Sequence, residues 1–257
     1  MSEKNIFADK AGVKRHDIID YFSESMPEVK NYLILSEGWK AQNVRFAFHS
    51  AYQLDENIIA LDPNGDLIGD VRAPLEREGY RVYAIDLSYG QSEAMLSLDG
   101  PMEKTAFFIH TSQIEPTSPA TIKKVVETLV ALKEEKGGRP LRFIINGFDI
   151  AYYIADPADL LSQKAVNVTT VALNISQLKE YIGETYEAFI NAFDAIFYFG
   201  CKDKLTYDYI MKNLTPNKEM TLLELANRKS MVWVRSWYEW AKESVWLEYA
   251  SLEMDPD

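Results

Sequence analysis

The sequence predicts an α/β protein in three layers, with a mostly parallel central sheet and an antiparallel C-terminal edge. Three observations carry that expectation. Short runs rich in Ile, Val, Phe and Tyr alternate with longer stretches of helical period between Asn31 and Tyr249, the pattern of repeated strand–helix–strand units. Most of the short runs are nearly continuous in apolar residues, as expected of strands covered by helices on both faces. The chain has 257 residues, 47% of them hydrophobic, enough to bury one sizeable core and short for two. The expected organisation is an N-terminal arm or helix over 1–30 and one α/β domain over 31–257.

The arm is polar apart from Ile18, Ile19, Tyr21 and Phe22. Asn31 to Leu35 and Asn57 to Leu61 read as the first two strands. Asp62-Pro63-Asn64-Gly65 reads as a turn, with Asp accepting backbone bonds and Gly taking a positive φ. A helix should follow it on Leu67, Ile68, Val71 and Leu75, and Pro74 predicts a kink or an early break there. Tyr80 to Leu87 and Thr105 to His110 are the next strands. The clearest helix starts near Pro119, with Ile122, Val125, Val126, Leu129, Val130 and Leu132 on one side and charged residues on the other. Gly137-Gly138 and then Pro140 should stop it. Leu141 to Ile145, Val168 to Leu173 and Ala195 to Phe199 complete the predicted strands. From Ser230 to Tyr249, Val232 and Val234 stand among Trp233, Trp237, Trp240 and Trp246. This favours an edge hairpin whose indoles cover the end of the sheet over a surface aromatic patch.

Charge and composition narrow the function classes. The formal net charge is -12, from 39 acidic and 27 basic side chains, a field that repels phosphate backbones, so nucleic-acid binding is disfavoured. The aromatic content does not reverse this, because stacking platforms for single strands work with a basic groove. No run approaches the roughly 18 apolar residues that a bilayer span needs, and Met1 to Asn5 lack the start of a secretory signal. A cytoplasmic protein without direct membrane insertion is expected. Cys201 stands alone, and His16, His49 and His110 have no ligand-like spacing, so no metal site is read.

Three stretches together carry a resemblance. The first is Ile58-Ile59-Ala60-Leu61-Asp62-Pro63-Asn64-Gly65-Asp66, continued by the strand entered through Gly79-Tyr80. The second is Pro140 to Phe148, and the third runs from Ser176-Gln177-Leu178 through Asn191-Ala192-Phe193-Asp194 to Asp203. In order and spacing they resemble the TraG/TraD-type coupling proteins of type IV secretion, hexameric RecA-like ATPases that feed DNA or protein into conjugative channels. The resemblance implies a RecA-like, P-loop NTPase-like topology, a nucleotide site, and a setting in bacterial conjugation or another mobile element.

The residues at the implied nucleotide site depart from what it requires. A phosphate-binding loop needs glycines for close backbone approach, a lysine for charge and a hydroxyl for magnesium. By the family's spacing that loop is Ser36-Glu37-Gly38-Trp39-Lys40-Ala41-Gln42-Asn43, with Gln42 in the lysine position and Asn43 in the hydroxyl position. Glu37 adds negative charge and Trp39 adds bulk. Lys40 reads as a solvated residue at a helix start rather than a substitute lysine. The family's Asp-Glu pair, which holds magnesium through water and polarises the attacking water, is replaced by Asn146-Gly147, which carries no charge. Asp149 is the one nearby carboxylate that could replace it, and it reads instead as a cap on the following turn, because its place past the strand end displaces its oxygens. Leu173 stands where the family has a nucleotide-sensing glutamine. The family's membrane-spanning helices and its all-helical insertion, between the strands ending at Leu87 and starting at Thr105, have no counterpart.

Other polar groups have simpler readings. Asp62, Asp66, Asp70 and Asp86 lie at strand ends, but the first of them belongs to a turn. Ser88, Ser92 and Ser97 lack the setting of a hydrolase nucleophile. His110 reads as a satisfied core group and Cys201 as a buried, inert thiol. The expectation is a noncatalytic pseudo-ATPase with no cofactor, a monomer or weak dimer with a protein partner in secretion or DNA transfer. The alternatives are a re-specialised nucleotide-binding or weak NTPase domain and a partnerless remnant of a coupling protein.

Overall fold

The computed structural model describes residues 30–36, 47–48, 51, 55–63, 65–87, 101–111, 118–146, 161, 165–198, 200–214, 231–236, 239–240 and 245–246. The strands are β1 (Tyr32–Leu35), β2 (Asn57–Leu61), β3 (Arg81–Asp86), β4 (Thr105–His110), β5 (Leu141–Asn146), β6 (Val166–Ala172), β7 (Ala195–Tyr198), β8 (Met231–Ser236), β9 (Glu239–Trp240) and β10 (Val245–Trp246). The helices are α1 (Asp66–Arg77), α2 (Pro119–Lys136), α3 (Ile175–Ile182), α4 (Tyr186–Ile190) and α5 (Lys204–Tyr209). All seven strands expected before the C-terminal hairpin are present, within two residues of their expected limits. They form one parallel array in the order β3-β4-β2-β5-β6-β1-β7. β8 then adds antiparallel to β7, and β9 and β10 pair antiparallel with β8.

The two helical layers follow from the strand order. From β1 to β2 and from β2 to β3 the chain moves toward the β3 edge, and from β3 onward each connection moves toward β7. Connections of one hand must then place the first two on one face and the rest on the other. The core divides in that way. Ala47, Phe48 and Ala51 of the β1–β2 connection and Val71 and Leu75 of α1 pack with Ile34, Ala60 and Phe108. Ile122 and Leu129 of α2, Ile175 and Leu178 of α3 and Phe189 of α4 pack with Leu33, Ile59, Phe107 and Phe143. Residues alternate between these layers with period two along every central strand, and both sets are buried.

Local sequence explains the helix limits. α2 starts on Pro119 after Ser118, whose Oγ accepts from Thr121 N–H, and stops at Gly137, φ 69°. α1 corrects the expectation of an early break, since it runs through Pro74 to Arg77. The proline withdraws its own N–H from the helical ladder, while its carbonyl still accepts from Glu78 N–H at 3.2 Å. In the C-terminal edge, Glu239–Trp240 pairs with Arg235 and Ser236, and Val245–Trp246 pairs with Met231 and Val232. The side chains of Trp233, Trp240 and Trp246, and all of Trp237, lie outside the described residues, as does the arm up to residue 29.

At the amino ends of the strands the core contains a buried polar clasp. The Arg142 side chain, 1% exposed, donates to the carboxylate of the Glu56 side chain, 4% exposed, through Nε and Nη2. Its Nη1 donates to Thr169 Oγ1 at 2.8 Å and to the Lys30 carbonyl at 3.0 Å, and the guanidinium lies over the Tyr32 ring at 4.5 Å. Asn167 Nδ2 also donates to Glu56, and Tyr80 donates to the Glu56 carbonyl at 2.7 Å. Fully buried Asn57 gives its Nδ2 to the Met102 carbonyl at 2.6 Å and accepts from Thr105 N–H at 2.8 Å. Burial by itself would lower the Arg142 pKa; Glu56 and then Tyr32 outweigh it and hold the guanidinium above its ordinary value. Among the described residues no helix is long and apolar enough to cross a membrane.

Candidate functional site

The positions implicated from the sequence come from four separated stretches, and the fold collects them on one edge. β2, β5, β6 and β1 are consecutive neighbours in the sheet. Their carboxyl ends carry Asp62, Asn146, Leu173 and Ser36. At about 4.8 Å per strand these ends span about 14 Å. The ladder places Asn146 beside Val171 and Leu35 beside Ala172. The ends of β6 and β1 therefore project beyond those of β2 and β5, leaving a stepped rim. Loops leave β1 toward one helical layer and β6 toward the other, so this rim contains the topological switch point where open α/β sheets take their ligands. Glu37, Gly38, Trp39, Lys40, Gln42, Asn43, Gly147 and Asp149 lie outside the described residues, as does the side chain of Asn146.

Ser36 is buried and extends the β1–β6 ladder by donating its N–H to the Ala172 carbonyl at 2.9 Å. Leu173 is half-buried and its N–H is taken by Gln177 Oε1 at 2.9 Å. Asp62, 4% exposed, is wholly occupied by the turn it begins. Its two carboxylate oxygens accept from Leu67 N–H at 3.1 Å and Ile68 N–H at 2.9 Å, capping α1. Its carbonyl accepts from Gly65 N–H at 3.1 Å, and Gly65 has φ 76°. The expected turn is therefore formed as read. The same carbonyl lies 2.8 Å from His110 Nδ1. His110 is 18% exposed and sits at the end of β4 rather than within the core. Asp66, Asp70 and Asp86 are exposed, and no three potential metal-ligating side chains converge among the described residues.

A second junction, on the other helical layer, joins the ends of β6 and β7. Asp203 accepts from Ser176 Oγ at 2.6 Å and, through its other oxygen, from Thr206 N–H and Oγ1 at 2.7 Å. Thr206 Oγ1 in turn accepts from Ile175 N–H at 2.8 Å, and Asn174 caps α3 by accepting from Gln177 N–H at 2.8 Å. Burial pushes the Asp203 carboxyl up, and the Ser176 and Thr206 hydrogen bonds outweigh it, leaving the group below its ordinary value. The N-termini of α1, α3 and α5 thus each point at a side chain of this chain, where an exogenous anion would otherwise be favoured.

Several residues that carried the resemblance serve as structural staples. Asp194 accepts from Lys30 N–H at 2.9 Å and Asn31 N–H at 2.8 Å, and Asn191 accepts from Tyr209 at 3.1 Å. Leu178 is fully buried, and Cys201 is buried as expected. Sequence reasoning passed over Glu56, Arg142 and Asn57. The available signals were a charge inside the apolar run Leu141-Arg142-Phe143-Ile144-Ile145 and a Glu-Asn pair opening the run at Ile58.

No protein-family model and no curated protein matches the chain. Solved structures do. The genome packaging NTPase B204 from Sulfolobus turreted icosahedral virus 2, in complex with AMP, superposes with a TM-score of 0.51 at 10% identity, over 80% of this chain and 92% of that chain. The bacterial conjugative coupling protein TrwBΔN70, in its unbound monoclinic form, gives a TM-score of 0.49 at 11% identity, over 86% of each chain. Plasmid coupling protein TrwB in complex with ADP and Mg2+ gives 0.48 at 12% identity, over 85% of each. The fold is α/β and P-loop NTPase-like, and at these identities the similarity is one of fold alone.

Proposed function

We propose that this chain is a noncatalytic relative of the coupling and packaging NTPases, which keeps their α/β frame as a protein-binding or accessory module in type IV secretion or DNA transfer. The observation that supports this most is the convergence of three substituted positions on adjoining strand ends. The loop after β1 contains Gln42 and Asn43, the end of β5 contains Asn146-Gly147, and the end of β6 is followed by Leu173. Those residue types do not fit a nucleoside triphosphate with magnesium: they offer amides and an alkyl group where the phosphates need cationic charge and the metal needs a hydroxyl and carboxylates. With no nucleotide to link neighbouring subunits, the chain is a monomer or weak dimer. Its remaining asset is the flank of the fold, which a secretion component or an intact coupling ATPase would contact from the cytoplasmic side.

The competing reading is a re-specialised nucleotide site built from Lys40, Asp62 and Asp149. Asp62 is a poor member of it, because both carboxylate oxygens already cap α1. Calorimetric titration of the full chain with ATP and Mg2+ at millimolar ligand separates the two. The expected result is no saturable heat. Micromolar binding that disappears in Lys40→Ala would establish the nucleotide site and end the pseudo-ATPase reading. For the partner, cross-linking in a host carrying a conjugative element should join this chain to a secretion or coupling component. Repeated absence of any adduct would favour the remnant.

A further inference from the structure

The four strands that carry the candidate site are mostly apolar and are buried on both faces. A slip of two residues along such a strand returns every side chain to its own face and leaves the burial pattern unchanged, so periodicity does not select the register. The polar groups differ from rung to rung. At the amino ends, the guanidinium of Arg142 in β5 touches the approaches to its three companions. It bonds Glu56, which precedes β2, Thr169 in β6, and the Lys30 carbonyl, which precedes β1, and it stacks on Tyr32 of β1.

We propose that the Glu56–Arg142 pair is a register-selecting device, a buried polar key that admits one alignment of β2, β5, β6 and β1. A two-residue slip moves a strand by about 6–7 Å. That takes the acceptors out of reach of the guanidinium and leaves a buried charge unpaired, an error much larger than any change in apolar contact. The register chosen at the amino ends also decides which residues reach the carboxyl rim. The same slip of β5 would carry Asn146-Gly147 away from Asp62 and bring Ile144 to the rim. This inference is independent of the proposed function.

The test uses the full chain with the double substitution Glu56→Leu and Arg142→Met, which removes both charges while roughly holding volume, alongside Arg142→Lys. Denaturant midpoints are read together with amide NMR spectra and hydrogen exchange. The double variant should fold with a midpoint at or above that of the parent. Its amides in β1, β2, β5 and β6 should broaden or double, while those of β3 and β4 stay single. Arg142→Lys keeps the charge but loses the planar fork, and should show partial doubling in the same strands. A double variant with one sharp, parent-like set of resonances would overturn the proposal. So would one that fails to fold, because the pair would then supply stability rather than selection.

Discussion

The amino and carboxyl ends of the central sheet solve opposite problems. At the amino ends, Glu56, Arg142 and Asn167 form one network and Asn57 a second beside it, and both run between strands and satisfy groups lying far apart in the chain. At the carboxyl ends the polar groups act mostly over short range: Asp62 caps the helix that follows it, Asn174 caps α3, and Asp203 caps α5 while bonding Ser176. A network between strands stands or falls as a unit, because removing one member leaves the others buried and unpaired. A local cap can be lost with little consequence beyond its own helix. The difference teaches where this fold tolerates change: the rim that bears the candidate site can vary one residue at a time, and the opposite end only when both members of its charge pair change together.

Substituting the centre of the clasp tests this most severely. Arg142→Met leaves the Glu56 carboxylate buried with Asn167 as its remaining side-chain donor and should lower the unfolding free energy by about 3–5 kcal/mol, read from urea denaturation. A loss no greater than that of a single cap would erase the distinction between the two ends. On the rim, Asp62→Ala removes both acceptors at the start of α1 and should cost about 1–2 kcal/mol. Hydrogen exchange should quicken at Leu67 and Ile68 and hold steady in β6. Faster exchange throughout the sheet would mean that the rim is coupled as tightly as the clasp.

A third substitution concerns the middle of the sheet. Thr170 is buried in β6, and among the described residues its Oγ1 has no hydrogen-bond partner, as is also true of Thr111 beyond β4. An unpaired hydroxyl in an apolar layer opposes folding, so Thr170→Val should raise stability by about 1 kcal/mol. A measured loss would reveal a buried water serving that hydroxyl.

The smallest expected effect is that of acid on the α3–α5 junction. Asp203 has a native pKa below its ordinary value. Its contribution is therefore complete above the unfolded carboxylate range near about 4 and is lost as pH falls through the lower native value. Unfolding curves from pH 5 downward should show the parent losing more stability than Asp203→Asn across that window. Parallel curves would place the junction outside the folding equilibrium.

Much of this architecture is legible in the sequence. Continuous apolar runs announced buried parallel strands, Ser118-Pro119 and Gly137 marked the limits of α2, and Asp62 to Gly65 announced a turn, because each of these is decided by residues within a few positions of one another. Of the kink or early break expected at Pro74, the break does not occur, because the helix continues through the Pro74 carbonyl, which bonds Glu78 N–H. The residue types at Gln42, Asn43, Asn146, Gly147 and Leu173 could also be read from the chain, as amides, a glycine and an alkyl group that do not suit phosphate and magnesium. Only the tertiary structure decided that β2, β5, β6 and β1 adjoin, which makes four scattered positions one rim. It alone assigned Asp203 to Ser176 and Arg142 to Glu56, Thr169 and Lys30. Those pairings span separations from 27 to 112 residues, and no local pattern specifies them: a buried charge in an apolar strand announces that it needs a partner, while strand order determines which partner it meets.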